Sequence, residues 1–235
     1  MSSFEFDLHT HTIASGHAST ATITDMAKAA QNLGLQLLGI SDHGPATMHG
    51  AKPSYFRSLA YAPKERLGVK ILYGAEVNIL DNTGSLDLDN AILKGLDFVI
   101  ASLHKPVKKP GSIAENTHAY IEAMKNPYVK IIGHCDDTKF PVDYLALVQA
   151  AMEHHVLLEL NDSSLRPNGY RGDTRFNDLM LLNLCKHFKY PILLSSDSHG
   201  PKYVGNFDHA MEMVRLAEFP KELILNYSIE RLTNI

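Results

Sequence analysis

Seven strand-length apolar runs, separated by helix-like stretches, constrain this chain more than any other feature. The runs cover residues 4–10, 35–41, 69–78, 98–103, 129–133, 156–161 and 192–196. Runs such as LQLLGIS and VLLELN are apolar nearly throughout, which suits parallel strands covered on both faces. The stretches between them carry helix punctuation. Thr24 precedes DMAKAAQNL and Gly34 follows it, where a polar cap and a left-handed stop belong. Segments 112–126, 142–154, 174–188 and 207–217 also read as helices, segment 81–89 as a turn or hairpin excursion, and 44–53 and 163–173 as long polar loops. Strand and helix alternate throughout, which predicts an α/β fold. No repeat, low-complexity tract or linker interrupts the pattern, so residues 1–235 are expected to form one domain, a length that single α/β barrels often have.

Composition removes several function classes. Lys plus Arg number 22 against 26 Asp plus Glu, a formal charge of −4, so a general basic surface for nucleic acid is not expected. The two cysteines, Cys135 and Cys185, exclude a disulfide framework and a cysteine-rich zinc module. No apolar run approaches the ~18 residues that span a bilayer. The N-terminal MSSFEFDLHTHT is acidic and lacks a basic n-region and an apolar h-region, so a cytoplasmic protein is expected.

Histidine is the outlier, with 13 residues, and imidazole is both a common metal ligand and an acid–base group near neutral pH. Position gives the count its meaning. His9 and His11 end the first strand, Asp42 and His43 the second, and Glu76 lies near the end of the third. His104 follows the fourth strand, His134 the fifth, and Asp197 and His199 the seventh. In a parallel barrel all C-terminal strand ends face one rim, so these residues would converge. His9 and His11, spaced i and i+2, would point to one side of a strand, with Asp7 below them. His17, in the Gly-containing loop ASGHAS, could curl over the rim. The other six histidines, His49, His118, His154, His155, His187 and His209, stay outside this pattern, although His49 could approach substrate. Cys135 beside His134 is read as a spectator thiol.

Seven histidines with Glu76 and Asp197 make nine donors, too many for one ion and enough for two or three. Imidazole and carboxylate without thiolate suit zinc, iron or manganese. Three divalent ions against two carboxylates would leave a strongly positive pocket that attracts phosphate.

At these residues the sequence resembles the PHP (polymerase and histidinol phosphatase) superfamily. The carrying motifs are DLHTHT at 7–12, SDHG at 41–44, GAEVN at 74–78, SLHKP at 102–106, GHCD at 133–136 and SDSH at 196–199, with ELNDSS at 159–164 in addition. Within the superfamily the chain is most similar to the stand-alone bacterial YcdX-like phosphatases. The resemblance implies a distorted TIM-like (β/α)7 barrel with its active site at the C-terminal rim and a trinuclear metal centre. Carried over by residue, His9, His11, Glu76 and Asp197 would hold one ion. Glu76 would bridge to a second held with His104 and His134, and His17, His43 and His199 would hold a third. Cys135-Asp136-Asp137 departs from the family, whose members often have a Pro-Gly type turn there.

The expected activity is hydrolysis of a small-molecule phosphate monoester by hydroxide bridging metals of the trinuclear site, with zinc first and manganese or iron as alternatives. No side-chain nucleophile is required. Arg166, Arg171 and Arg175, in and just beyond the loop after the sixth strand, and Lys105 are candidates to hold phosphate oxygens. The alternatives are a histidinol-phosphate phosphatase, a 3′–5′ nuclease, a C–N hydrolase and a non-catalytic metal-binding module. The expected partner is a small phosphorylated substrate, without membrane or nucleic acid, and a homo-oligomer is compatible with the sequence.

Overall fold

The apolar runs pair as seven parallel strands around a distorted (β/α)7 barrel, in a computed structural model that describes residues 4–234. The barrel strands are β1 (Phe6–Asp7), β2 (Leu37–Ile40), β4 (Val69–Asn78), β5 (Phe98–Ser102), β6 (Ile131–Ile132), β7 (Leu157–Asn161) and β8 (Ile192–Ser195), adjacent in that order. A short β3 (Glu65–Arg66) pairs antiparallel with β4. The helices are α1 (Ile23–Asn32), α2 (Pro53–Ser58), α3 (Asn90–Leu93), α4 (Ile113–Met124), α5 (Tyr144–His154), α6 (Arg175–Phe188) and α7 (Asp208–Leu216). Residues 1–3, where the N-terminal reading and the expected domain begin, and Ile235 lie outside the described residues. Among the described residues no helix is long and apolar enough to cross a membrane.

The expected helices are present within a residue or two at their ends, with one correction. The cap of α1 is Thr22, not Thr24. Thr22 Oγ1 accepts from Asp25 N, while the Asp25 carboxylate accepts from Thr22 N at 2.8 Å. This reciprocal box satisfies two amides that Thr24 could not reach together. α2, α3 and β3 were not anticipated, because each is too short to show a period.

Phe6, Leu37, Phe98, Ile131, Leu157 and Leu193, one from each of six strands, form a buried apolar cluster with Leu8, Ile100 and Leu225. Residues from strands all around the sheet can meet only inside the barrel, so this cluster is its floor. Alternate strand residues join the larger core beneath the helices. Gly39 and Gly74 make room for the Phe98 ring, since a Cβ on either would lie within 2.8 Å of Phe98 Cζ.

Among the described residues no ladder joins β8 to β1, and side chains close that seam instead. Buried Asn226 accepts from Leu194 N at 2.8 Å and donates to Leu194 O at 2.8 Å and Phe6 O at 3.1 Å. Higher up, Asp7 accepts from the amides of Ser196 and Gly205 and from the Ser196 hydroxyl. Burial pushes the Asp7 carboxyl up to about 6. Asp7 therefore stitches the seam and does not reach the rings of His9 and His11. Above it, Thr10 and Ser198 form a parallel bridge.

Candidate metal centre

The rim gathers the strand-end residues because the strands are parallel and stop at similar heights. β1 ends at Asp7, so His9 and His11 lie beyond the strand, on backbone tied across to Ser41 and Ser198. Glu76, inside β4, stands at the middle of the group and is buried.

The imidazoles are oriented from behind. His9 Nδ1 donates to Glu159 Oε1 at 2.8 Å. His11 Nδ1 lies 3.0 Å from the Ser15 hydroxyl, which itself donates to Asp42 Oδ1 at 2.7 Å and so accepts from the ring. His104 Nδ1 faces Asn78 Oδ1 at 2.8 Å. His17 and His199 turn Nδ1 to the backbone oxygens of Ser15 and Asp197, each at 3.2 Å. A proton fixed on Nδ1 leaves the Nε2 lone pair bare, as in metal-binding histidines. Nε2 of His9, His11 and His104 and Oε2 of Glu76 are buried with no hydrogen-bond partner. Buried polar atoms without partners are costly, and several aimed at one point fit a cation.

The spacings match metal ligation. Four donors at ~2.1 Å around a tetrahedral ion stand about 3.4 Å apart. His9 Nε2 lies 3.4 Å and His11 Nε2 3.6 Å from Glu76 Oε2, and they lie 3.8 and 3.2 Å from Asp197 Oδ1. On the other oxygen, Glu76 Oε1 is 2.8 Å from His134 Nε2 and 3.3 Å from His104 Nε2. Glu76 thus presents one oxygen to each group. A third group joins His43 and His199, whose Nε2 atoms are 3.4 Å apart, with His11 also within reach. The His17 ring, though exposed, stacks on His43 at 4.8 Å. His43 faces two ways, because its Nδ1 lies 2.6 Å from Glu76 Oε2.

Electrostatics favour charged carboxylates here. Burial alone would raise Glu76, but His43, His104 and His9 hold it well below the usual range. Asp197 is likewise depressed against burial, chiefly by Arg171 and then His9. Burial lowers His11, reinforced by His199 and His43, and lowers His104 to about 4, which keeps both rings neutral and able to bind metal.

The five substrate-binding candidates separate. Arg171 Nη2 reaches Asp197 Oδ2 at 2.8 Å, beside the centre. Arg166 lies over the Tyr203 ring and donates to Ser196 O at 3.0 Å, lining a cavity of about 290 Å³ under the loop at 164–175. Arg175, on the edge of the same cavity, is exposed and paired with Asp173 at 3.0 Å. Lys105 is exposed, and so is His49, whose φ is +63°. Cys135 is buried and its thiol is pushed up by burial.

Sequence reasoning missed the residues behind the candidate ligands: Glu159, Asn78 and Ser15 were not named as site residues, and Asp42 only as a strand-end group. The ELNDSS motif held a signal for Glu159, a carboxylate inside an otherwise apolar strand.

Comparison with known proteins finds relatives along nearly the whole chain. A family model described as PHP domain matches residues 7–163. A "probable phosphatase" of Clostridium novyi is 42% identical over 97% of this chain and 93% of its own length. A "probable phosphatase" of Thermoanaerobacter pseudethanolicus is 41% identical over 96% and 91%. Among solved structures, histidinol phosphate phosphatase from Lactococcus lactis, in complex with zinc, L-histidinol and phosphate, superposes with a TM-score of 0.65 at 19% identity, covering 92% of this chain and 94% of that one. A chain in the structure of archaeal ribonuclease P with mature tRNA superposes with a TM-score of 0.56 at 16% identity, covering 97% and 88%. At these identities both structures speak for the fold.

Proposed function

This chain belongs to the PHP domain family, among its stand-alone phosphatases, and we propose that its one domain, residues 1–235, hydrolyses a phosphate monoester of a small molecule at a three-metal centre. It is a phosphoric monoester hydrolase. The nine metal-holding residues are His9, His11, His17, His43, Glu76, His104, His134, Asp197 and His199. The observation that carries the reading is the convergence of bare, buried Nε2 atoms on the two oxygens of Glu76. Zinc fits this donor set first, and manganese or iron also suit imidazole and carboxylate without thiolate. Bound divalent ions would supply Lewis acidity toward phosphoryl oxygens and make hydroxide available near neutral pH.

The residues of the chain do the rest. Glu76 and Asp197 bring negative charge that holds cations, while an imidazole that binds metal through Nε2 is neutral and brings none. The pocket therefore becomes cationic when loaded, inside a protein of charge −4. Arg171 presents its guanidinium at the edge of that pocket, where it orients a phosphate by charge-assisted hydrogen bonds. Arg166 and Arg175 line the neighbouring cavity, where the alcohol portion of the substrate would lie.

The test is release of phosphate from a generic aryl phosphate by metal-free protein supplemented with zinc or manganese. The reading predicts metal-dependent turnover that is lost in Glu76→Ala. Metal bound in full with no release of phosphate would favour a binding module instead.

A further inference from the structure

We propose that Glu159 is a positioning residue that sets the spacing of the two ligand groups on either side of Glu76. This inference rests on the metal-centre reading above. Glu159 lies in β7 with its carboxylate inside the barrel and 1% of its surface exposed. Its oxygens receive donors from several neighbouring segments. His9 Nδ1 reaches Oε1 at 2.8 Å and Oε2 at 3.1 Å. The backbone amide of His134 donates to Oε2 at 3.0 Å. Asn161 Nδ2 donates to Oε1 at 2.7 Å, and the Ser195 hydroxyl donates to the same oxygen.

Two of these contacts act on candidate ligands. The contact with His9 fixes the proton on Nδ1, so Nε2 faces Glu76 Oε2 and Asp197. The contact with His134 holds an unusual backbone, because His134 has φ +28°, which L residues rarely adopt and which persists only when the surroundings impose it. The chain there is pressed against the carboxylate: a Cβ on Gly133 would sit 3.1 Å from Glu159 Oε2 and 2.3 Å from Ser102 Oγ. From that backbone the His134 ring reaches Glu76 Oε1 with Nε2 at 2.8 Å. One carboxylate thus aims a ligand at each oxygen of Glu76. It is not a ligand itself, since donors engage both of its oxygens.

Glutamine at this position keeps the size but replaces one acceptor with an NH2. With its oxygen at the Oε1 position the His134 amide loses its acceptor. With its oxygen at the Oε2 position His9 keeps only the longer 3.1 Å contact, while the NH2 faces the Asn161 and Ser195 donors. The experiment is chelator-competition titration of zinc into wild type, Glu159→Gln and Ser195→Ala, with the absorption spectrum of the cobalt-substituted proteins. Glu159→Gln is expected to weaken binding roughly 10–100-fold and to change the cobalt spectrum. Ser195→Ala removes one donor and leaves the carboxylate in place, so a loss of a few fold is expected, and it carries the test if Glu159→Gln does not fold. A merely structural glutamate would lower the melting temperature of the metal-free protein without moving either readout. Unchanged affinity and spectrum in whichever variant folds would overturn the proposal while leaving the metal centre standing. Wild type that holds no metal would overturn both.

Discussion

Arg171 Nη2 donates to Asp197 Oδ2 at 2.8 Å, while Asp197 Oδ1 faces His11 Nε2 at 3.2 Å. The carboxylate is shared between a guanidinium that can meet substrate and an imidazole that can meet metal. Arg171→Ala should therefore lower kcat/KM for an aryl phosphate about 100-fold, the order seen when one donor to a developing oxyanion is removed. Arg175→Ala, at an exposed pair with Asp173, should change kcat/KM for the same small substrate less than 3-fold, on the order expected for a surface ion pair. Steady-state kinetics on the two variants checks the contrast, and equal losses would contradict it.

His104 gives a pH dependence with a definite sign. Burial lowers its folded pKa from 6.5 to about 4. Between those values the unfolded chain binds the proton and the folded chain does not, so stability from this group is complete above pH 6.5 and is lost as pH falls toward 4. The full effect is about 3 kcal/mol at 1.36 kcal/mol per pKa unit. His9, raised by Glu159, Glu76 and Asp197 against burial, runs the other way, with stability present below pH 6.5 and lost as pH rises through its folded value. The difference between wild type and His104→Asn isolates the first effect. Urea unfolding of metal-free protein at pH 7 and pH 5 should show wild type losing more stability than the variant.

Asn226 closes the barrel seam with three hydrogen bonds to the backbones of β1 and β8, fully out of contact with solvent. Asn226→Ala leaves the Leu194 amide and carbonyl and the Phe6 carbonyl without these partners in a dry interior. A loss of about 2–4 kcal/mol is expected, since each orphaned group costs about 1–3 kcal/mol and partial relaxation recovers some of it. Chemical denaturation measures it, and a loss under 1 kcal/mol would show that another contact closes the seam.

The sequence made the barrel legible because six of the seven strands are buried on both faces and read as apolar runs, and because parallel strands put their ends on one rim. It made the candidate ligands legible because His9, His11, His43, Glu76, His104, His134, Asp197 and His199 all fall at strand ends. The second layer was harder. Glu159 meets His9 across 150 positions, and such a contact depends on strand order and register, which local spacing does not encode. The choice among Arg166, Arg171 and Arg175 was equally hidden, because they lie in or just beyond one polar loop whose path is set by packing against Thr138 and Tyr203. The short α2, α3 and β3 carry too few residues to display a period.

The most direct test of the metal centre is elemental analysis of the purified protein and of His9→Ala and Glu76→Ala. Three equivalents of divalent metal per chain are predicted in wild type. Both variants should fall below that number, Glu76→Ala further, since both of its oxygens face ligand groups. One equivalent or none in wild type, or an unchanged number in Glu76→Ala, would contradict the account.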